Sequence, residues 1–318
     1  QSVDLSATSS RPSISAEEKQ DVSDSEYKYA NPKTPKVKQA LMAELRPYDG
    51  SFAVLLSGGL DSHAVLFTLM ALGKKDITVY CARMDTHESR DFRVAQSTAK
   101  TFGLKFVPIV LSSDMTSLKK DIVRNVRDMR IDSKIHVEAF WVYRKIIDTS
   151  KEKYIASGLA ADLYFLVTKT ACMHFKDKPD EYRHAKFPAL LGPESQTGRL
   201  KEYCASVGKQ WLSPWVSKRM LKEFDGTSWE RVNKPAQKQP VREQFADYLE
   251  KVRIYQHTDM HKGDSGIAAN FEQLLKCPIW NPGLRYKSVV GVYNRVFAGA
   301  VDADGPVRPK NRKSLFQG

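Results

Sequence analysis

The chain has 318 residues, of which 42% are hydrophobic and 10% aromatic, and its formal net charge at pH 7 is +13. These fractions exclude a mostly disordered chain, and the lack of any apolar run near the ~20 residues that span a bilayer predicts a soluble protein with no membrane partner. The basic excess favours anionic substrates or polyanionic partners, or is simply a lysine-rich soluble surface.

The amino-terminal segment, residues 1–35, is rich in Ser, Glu, Asp, Lys and Pro and has few large apolar residues. We expect it to be a disordered or extended arm that offers a contact for a partner. Residues 36–47 follow with apolar positions at helical spacing and stop at Pro47. This pattern predicts a helix.

Strands and helices alternate in the next stretch. Phe52–Leu56 is a short apolar run typical of a buried parallel strand. From Leu60 the pattern becomes helical, and Gly73 supplies a cap. A second strand over 77–82, a helix over about 92–102 and a third strand over 105–111 follow. This alternation with short connections predicts an α/β fold with a doubly wound parallel sheet.

The later part of the chain is predicted to be more helical. Residues 118–150 have helical patterning, and 154–156 form a fourth strand that runs straight into Ser157 and Gly158. Beyond about residue 170, polar and Pro-containing connections separate short helices. We divide the chain into the arm (1–35), one domain (36–255) and a C-terminal extension (256–318) with a basic tail.

A Ser-Gly-Gly-Leu-Asp-Ser turn, residues 57–62, joins the first strand to its helix. Glycines let the backbone approach a phosphate closely, and the N–H groups at a helix start face an anion, helped by the helix dipole. The hydroxyls of Ser57 and Ser62 add donors. Asp61 would repel a bare phosphate, so its natural role is to hold a Mg²⁺ that bridges phosphate oxygens. A turn without a ligand is the alternative, but the strand–turn–helix context favours a triphosphate site.

The turn differs from a Walker A loop, and it resembles the signature of the PP-loop ATP pyrophosphatases, which cleave ATP between the α and β phosphates. Over roughly residues 37–255 the chain resembles most the synthetase domain of asparagine synthetases and of β-lactam synthetases. The resemblance implies the adenine nucleotide α-hydrolase-like fold, with ATP and Mg²⁺ as cofactors. It implies nucleotide contacts from Leu56, Ser57, Gly58, Gly59, Leu60, Asp61 and Ser62.

Further stretches carry the resemblance. Residues 91–99 follow the second strand as an aspartate and an Ala-rich helix do in that family. Residues 155–162 resemble the family's Ser-Gly-Glu-Gly-(Ala/Ser)-Asp-Glu loop, which implies nucleotide contacts from Ser157 and Gly158 and a second Mg²⁺ ligand in Asp162. The strand-end residues Ala82 and Arg83 fall where the family contacts adenine.

A third stretch, residues 236–245, resembles the family's arginine-glutamine-lysine segment. The resemblance implies that Lys238 is a catalytic residue that meets the negative charge on the α-phosphate during adenylation. Arg242 is a candidate helper through forked hydrogen bonds to phosphate, although a surface role is the alternative.

The chain lacks two glutamates of the family pattern. Leu159 and Leu163 stand where the family has glutamates, the first of which is implied to position or deprotonate the attacking amine. The resemblance does not include the family's glutaminase domain, so we expect ammonia or an amine to replace glutamine as the nitrogen source.

We therefore predict an AMP-forming ligase that activates a carboxylate or similar oxygen and transfers it to ammonia or an amine. Two alternatives stay open: a PP-loop enzyme that modifies a nucleic acid, favoured by the charge, and a PP-loop scaffold that has lost catalysis. The four cysteines lie far apart without a C-x-x-C pair, which speaks against a zinc ribbon or iron–sulfur site and predicts a reducing, cytoplasmic setting.

Overall fold

The computed structural model describes residues 33–131, 134–254, 265–278 and 280–294. The elements of the sheet and its crossover helices are α1 (Val37–Leu45), β1 (Phe52–Leu55), α2 (Leu60–Ala71), β2 (Ile77–Met84), α3 (Arg90–Thr101), β3 (Lys105–Leu111), α4 (Met115–Met129), α5 (Lys134–Thr149) and β4 (Tyr154–Ser157). Short helices and one strand follow: α6 (Asp162–Phe165), α7 (Lys169–Phe175), α8 (Pro179–Lys186), α9 (Pro188–Leu191), α10 (Gln196–Ser206), β5 (Gln210–Leu212), α11 (Lys218–Phe224), α12 (Trp229–Asn233), α13 (Gln239–Gln244), α14 (Ala246–Leu249) and α15 (Ile267–Glu272).

The five strands form one parallel sheet in the order β3-β2-β1-β4-β5. The chain moves outward from β1 to β2 and β3, and then returns to place β4 on the other side of β1. Reversal of the strand order at β1 and β4 leaves a crevice at their carboxyl ends, which is where ligands bind in open α/β sheets. The predicted doubly wound α/β fold with a helix-rich second half is confirmed.

Both faces of the sheet are covered, which explains why its central strand, β1, is apolar throughout. Side chains of successive residues point to opposite faces, so Val54 joins one hydrophobic core cluster, whereas Ala53 and Leu55 join the other. The first cluster contains residues of α1, α2 and α3, and the second contains residues of α4 and α5. The four residues of β1 are all buried, as expected for a parallel strand covered on both sides.

Two details differ from the sequence-based expectation. The helical stretch at 118–150 is divided between two helices, α4 and α5. The sheet also has a fifth strand, β5, in a part of the chain whose pattern predicted helices and connections.

Several predicted segments lie wholly or partly outside the described residues. The arm is described only from residue 33, and the C-terminal extension only at 265–278 and 280–294. The basic tail lies outside the described residues altogether. Within the part of the chain that the structure covers, no helix is both long and apolar enough to cross a bilayer.

Candidate functional site

The 57–62 turn is held in shape by its own serine hydroxyls. The Ser57 backbone N–H donates to Ser62 Oγ at 3.1 Å, and the two side-chain oxygens lie 3.1 Å apart. The Gly59 N–H donates to Ser57 Oγ at 3.3 Å. Helix α2 begins at Leu60, directly after the turn, with Asp61 in its first turn. The turn therefore presents the start of a 12-residue helix at the carboxyl end of β1, a place that favours an anion.

A buried histidine anchors this turn to the neighbouring helix. His63 is fully buried, and its Nδ1 lies 2.8 Å from the Gly59 carbonyl oxygen. Because a carbonyl oxygen only accepts, Nδ1 is the donor in this contact. The other ring nitrogen, Nε2, lies 3.1 Å from the Thr98 hydroxyl on α3. His63 thereby fixes the Gly59 carbonyl, and no sequence pattern singled this residue out.

The loop after β4 lies directly against the 57–62 turn. A Cβ atom added to Gly158 would lie 2.5 Å from the Ser62 backbone nitrogen and 2.6 Å from the Asp61 carbonyl carbon. Only glycine allows this approach. Two residues further on, Ala160 has a φ of +71°, a left-handed conformation that costs a residue with a Cβ atom about 1–2 kcal/mol. The family resemblance places a glycine at this position.

Lys238 joins the two loops from a distant part of the chain. Its Nζ donates to both carboxylate oxygens of Asp61, at 2.8 and 2.6 Å, and to Asp162 Oδ1 at 2.7 Å. The Lys238 side chain is only 12% exposed, whereas Asp61 is 22% and Asp162 49% exposed. Burial opposes the charge on the lysine, but the carboxylates of Asp61 and Asp162 outweigh it and raise the pKa of Lys238 above its usual value.

The segment before α13 is built to present this lysine. Lys238 itself has a φ of +62° and immediately precedes α13. The Asn233 side chain accepts from the Lys238 N–H at 3.4 Å and donates to the Phe165 carbonyl at 2.8 Å, which ties the segment to α6. Arg242 Nε donates to the Gln237 carbonyl at 2.9 Å. In this structure the Arg242 side chain therefore braces the lysine segment.

A cavity of about 310 Å³ opens at the carboxyl ends of the central strands, above these residues. Its floor and rim come from β1, β2 and the loop after β4, and α5 forms one wall. Another depression, of about 430 Å³, lies at the amino ends of the strands beside Ser51, Asp76 and Lys105, and none of the predicted site residues lines it. The predicted site residues that line the central cavity are Leu56, Ser57, Asp61, Ser62, Ala82, Ser157, Gly158 and Asp162.

The remaining predicted residues are not among the described residues that line the cavity: Gly58, Gly59, Leu60, Arg83, Lys238 and Arg242. Lys238 nevertheless reaches the site through its contacts with Asp61 and Asp162. The Arg83 side chain turns away, since it pairs with Glu88 at 3.7 Å and lies over the Phe92 ring. The predicted adenine contact at this strand end, through the backbone of Ala82 and Arg83, stays a prediction.

The wall formed by α5 adds residues that the sequence showed only as part of the helical stretch at 118–150. Tyr143 lines the cavity together with Ala139, Val142 and Ile146. Burial raises the pKa of Tyr143 to about 12, so its hydroxyl stays protonated at neutral pH. Leu159 lines the cavity too, and it stands where the family resemblance implies a glutamate.

The site suits a magnesium ion that is shared with phosphate groups. Mg²⁺ in nucleotide sites is commonly held by one or two carboxylates and by phosphate oxygens, without a complete protein cage. Among the described residues no group of three or more His, Cys, Asp or Glu side chains could hold a metal alone. Asp61 and Asp162 converge on one cation, the Lys238 ammonium, so their spacing fits a shared cation.

Comparisons with known proteins give one family match. The family model for asparagine synthase matches residues 37–291. None of the curated proteins matches the chain. Among solved structures, the U34-tRNA thiolase NcsA from Methanococcus maripaludis with its 4Fe-4S cluster is similar at 14% sequence identity. That similarity covers 82% of this chain and 78% of that chain, with a TM-score of 0.37.

Proposed function

The chain belongs to the asparagine synthase family, and we propose on that premise that it is an ATP-dependent adenylating ligase. Membership places its domain among the PP-loop ATP pyrophosphatases, so ATP cleavage between the α and β phosphates is the expected chemistry. The finer proposal is that a carboxylate or similar oxygen is activated as an AMP ester and transferred to ammonia or an amine.

One observation carries the proposal: three segments distant in sequence meet at the mouth of one cavity. The 57–62 turn, the 157–162 loop and Lys238 are linked by direct contacts there. A PP-loop enzyme needs donors for the triphosphate, ligands for a divalent cation and a positive charge near the α-phosphate, and these segments supply all three.

Each segment has a distinct role in this proposal. The start of α2 orients the phosphates through backbone N–H groups and the hydroxyls of Ser57 and Ser62. Asp61 and Asp162 hold Mg²⁺, which when bound neutralises phosphate charge and makes pyrophosphate a better leaving group. Lys238 stabilises the negative charge that builds on the α-phosphate, and Ala82 contacts the adenine ring through its backbone.

The reaction proceeds in two steps. An acceptor oxygen attacks the α-phosphorus, the bond between the α-phosphorus and the bridging oxygen breaks, and pyrophosphate leaves with the electron pair. The amine then attacks the activated carbon and gives up a proton, and AMP leaves. With Leu159 in place of a glutamate, the protein supplies no carboxylate at that position, so the amine must lose its proton to another group or to solvent. The protein contributes mainly orientation and charge stabilisation.

Product analysis tests the proposal. The purified chain is incubated with Mg²⁺-ATP and panels of carboxylic acids, amines and nucleic acids, and AMP and pyrophosphate are measured. We expect equal amounts of both, only in the presence of an acceptor, and mass spectrometry should detect AMP-linked intermediates formed from cell extract. Release of ADP and phosphate would contradict the proposal. If the chain neither bound ATP nor released pyrophosphate, a catalytically inactive scaffold would be favoured.

The net charge supports a second candidate. A charge of +13 favours a polyanionic acceptor, so the activated oxygen would belong to a nucleic acid base. Such an acceptor would bind with an affinity that falls steeply as salt concentration rises. Two measurements separate the candidates: filter binding of RNA and DNA over a salt series, and pyrophosphate release in the presence of each polymer. A small-molecule ligase would show no stimulation of pyrophosphate release by either polymer.

A further inference from the structure

The Lys238 ammonium uses its full hydrogen-bonding capacity on two carboxylates. An ammonium group has three N–H donors, and the Lys238 Nζ has three carboxylate oxygens within 2.8 Å: two from Asp61 and one from Asp162. Phe165 lies beneath it, with the ring centre 5.7 Å from Nζ. The lysine therefore occupies the space between the two aspartates.

The same two aspartates are the proposed ligands of the divalent cation. A metal ion that took their oxygens would have to share them with a positive charge less than 3 Å away, and like charges at that separation repel strongly. The ammonium must therefore leave at least one carboxylate before a metal can enter.

Departure of the ammonium is unfavourable without a new partner. The Lys238 side chain is 88% shielded from solvent, since its relative exposure is 12%. A buried charge that loses its partners carries a large desolvation cost. A bound triphosphate removes that cost, because its oxygens offer the ammonium new acceptors at the moment when its carboxylates are taken by the metal.

We propose that Lys238, besides its role at the α-phosphate, takes the place of the divalent cation in the nucleotide-free protein, so that the metal binds only together with the triphosphate. The inference rests on the proposed function, since it assumes that Mg²⁺-ATP binds at this site. Lys238 also keeps Asp61 and Asp162 close together, because two carboxylates without a cation between them would repel each other. The site is thus held ready for the metal while remaining closed to metal alone.

Manganese binding tests this exchange without any acceptor substrate. Mn²⁺ is titrated into nucleotide-free protein, and the free ion is followed by electron paramagnetic resonance. The wild-type chain should bind Mn²⁺ only when α,β-methylene-ATP is present. The variant Lys238→Met keeps an apolar chain of similar length without the charge, and it should bind Mn²⁺ without nucleotide at least about tenfold more tightly than the wild type. Simple structural damage would weaken metal binding, so the gain is the diagnostic result.

Two control variants show whether the gain in Mn²⁺ binding depends on the charge of Lys238 and on the carboxylate of Asp162. Lys251→Met removes one positive charge from an exposed lysine, and it should leave Mn²⁺ binding as in the wild type. The double variant Lys238→Met/Asp162→Asn should lose the binding gained by Lys238→Met. If Lys238→Met does not fold, as judged by circular dichroism, Lys238→Gln replaces it. The wild-type titrations with and without nucleotide still test whether Mn²⁺ binding requires the nucleotide.

The exchange is overturned if wild-type protein binds Mn²⁺ equally well with and without the nucleotide, or if removal of the Lys238 charge brings no gain. Calorimetry with Mg²⁺-ATP on the same wild-type sample separates this failure from failure of the proposed function. If the wild type shows heat of ATP association but Lys238→Met shows no gain in Mn²⁺ binding, the exchange fails and the ligase proposal stands. Absence of ATP binding would contradict both the exchange and the ligase proposal.

Discussion

At the scale of single residues, His63 links the 57–62 turn to helix α3. Replacement by alanine would leave the Gly59 carbonyl without its side-chain donor and open a cavity between α2 and α3. We expect His63→Ala to lower the free energy of unfolding by about 2 kcal/mol or more, measured by urea denaturation. His184→Ala is the control, because that side chain is 55% exposed and should change stability by less than about 0.5 kcal/mol.

We also expect His63→Ala to bind Mg²⁺-ATP more weakly than the wild type under conditions where the variant is fully folded. An unfolding free energy equal to that of the wild type would show that the turn does not depend on this anchor.

Ala160 gives a prediction of opposite sign. Its left-handed backbone has a φ of +71°, and glycine adopts this conformation without the Cβ penalty. Ala160→Gly should raise the free energy of unfolding by about 0.5–1 kcal/mol, after allowance for the greater freedom of glycine in the unfolded chain. Ala205→Gly is the matched contrast, since the same substitution in helix α10 should destabilise the protein. Loss of stability in Ala160→Gly would contradict the strain assigned to this loop.

Residue-level predictions from the sequence were possible where the signal was local. The 57–62 turn has two glycines, two serines and an aspartate between an apolar strand and a helix, and that order alone indicated a phosphate site. Lys238 lies 177 residues from Asp61, and only the family resemblance suggested that the two act together. The role of His63 could not be predicted, because a single histidine inside an apolar helix gives no sign of the carbonyl that it contacts.

At the scale of elements, contact between the turn and the loop after β4 sets the geometry of the site. Gly158→Ala would place a Cβ atom 2.5 Å from the Ser62 nitrogen and force the start of α2 away from the loop. We expect this variant to lose about 1–3 kcal/mol of stability and to bind Mg²⁺-ATP more weakly, measured by urea denaturation and calorimetry.

Gly192→Ala is the matched control for Gly158. Nothing lies within 4 Å of a Cβ atom at Gly192, and its φ of −66° suits any residue. Stability and nucleotide affinity should therefore stay at wild-type values in Gly192→Ala. If Gly158→Ala and Gly192→Ala had the same stability and nucleotide affinity, close contact between the 57–62 turn and the loop after β4 would not be required for binding.

The elements that the sequence missed are those without a periodic signal. Strand β5 has only three residues, Gln210–Leu212, too few for an alternating pattern to emerge. It forms because β4 offers an open edge, with Ile155 opposite Trp211, so its pairing depends on tertiary context and not on its own propensity. The division between α4 and α5 lies at Arg130, a non-glycine residue with a φ of +52°, which composition does not mark as a helix end.

At the scale of the whole molecule, the parallel sheet explains why distant residues share one site. Strands β1 and β4 are neighbours although about 100 residues separate them in sequence, and their carboxyl ends deliver the turn and the loop side by side. The fold class followed from the alternation of strands and helices, and the reversal of strand order that creates the crevice was not visible in any single segment. The net charge of +13 adds a long-range attraction for the polyphosphate of ATP.

Calorimetric titration of Mg²⁺-ATP into wild-type protein and Asp61→Asn tests the central claim most directly. Asparagine keeps the size of the side chain but removes the charge that pairs with Lys238 and that, in our proposal, binds the metal. We predict saturable binding by the wild type, a loss of affinity of at least about tenfold in Asp61→Asn, and no change in Asp177→Asn, which neutralises an exposed aspartate outside the cavity lining. Absence of binding heat with the wild type, or equal affinity in Asp61→Asn, would contradict a nucleotide site at this turn.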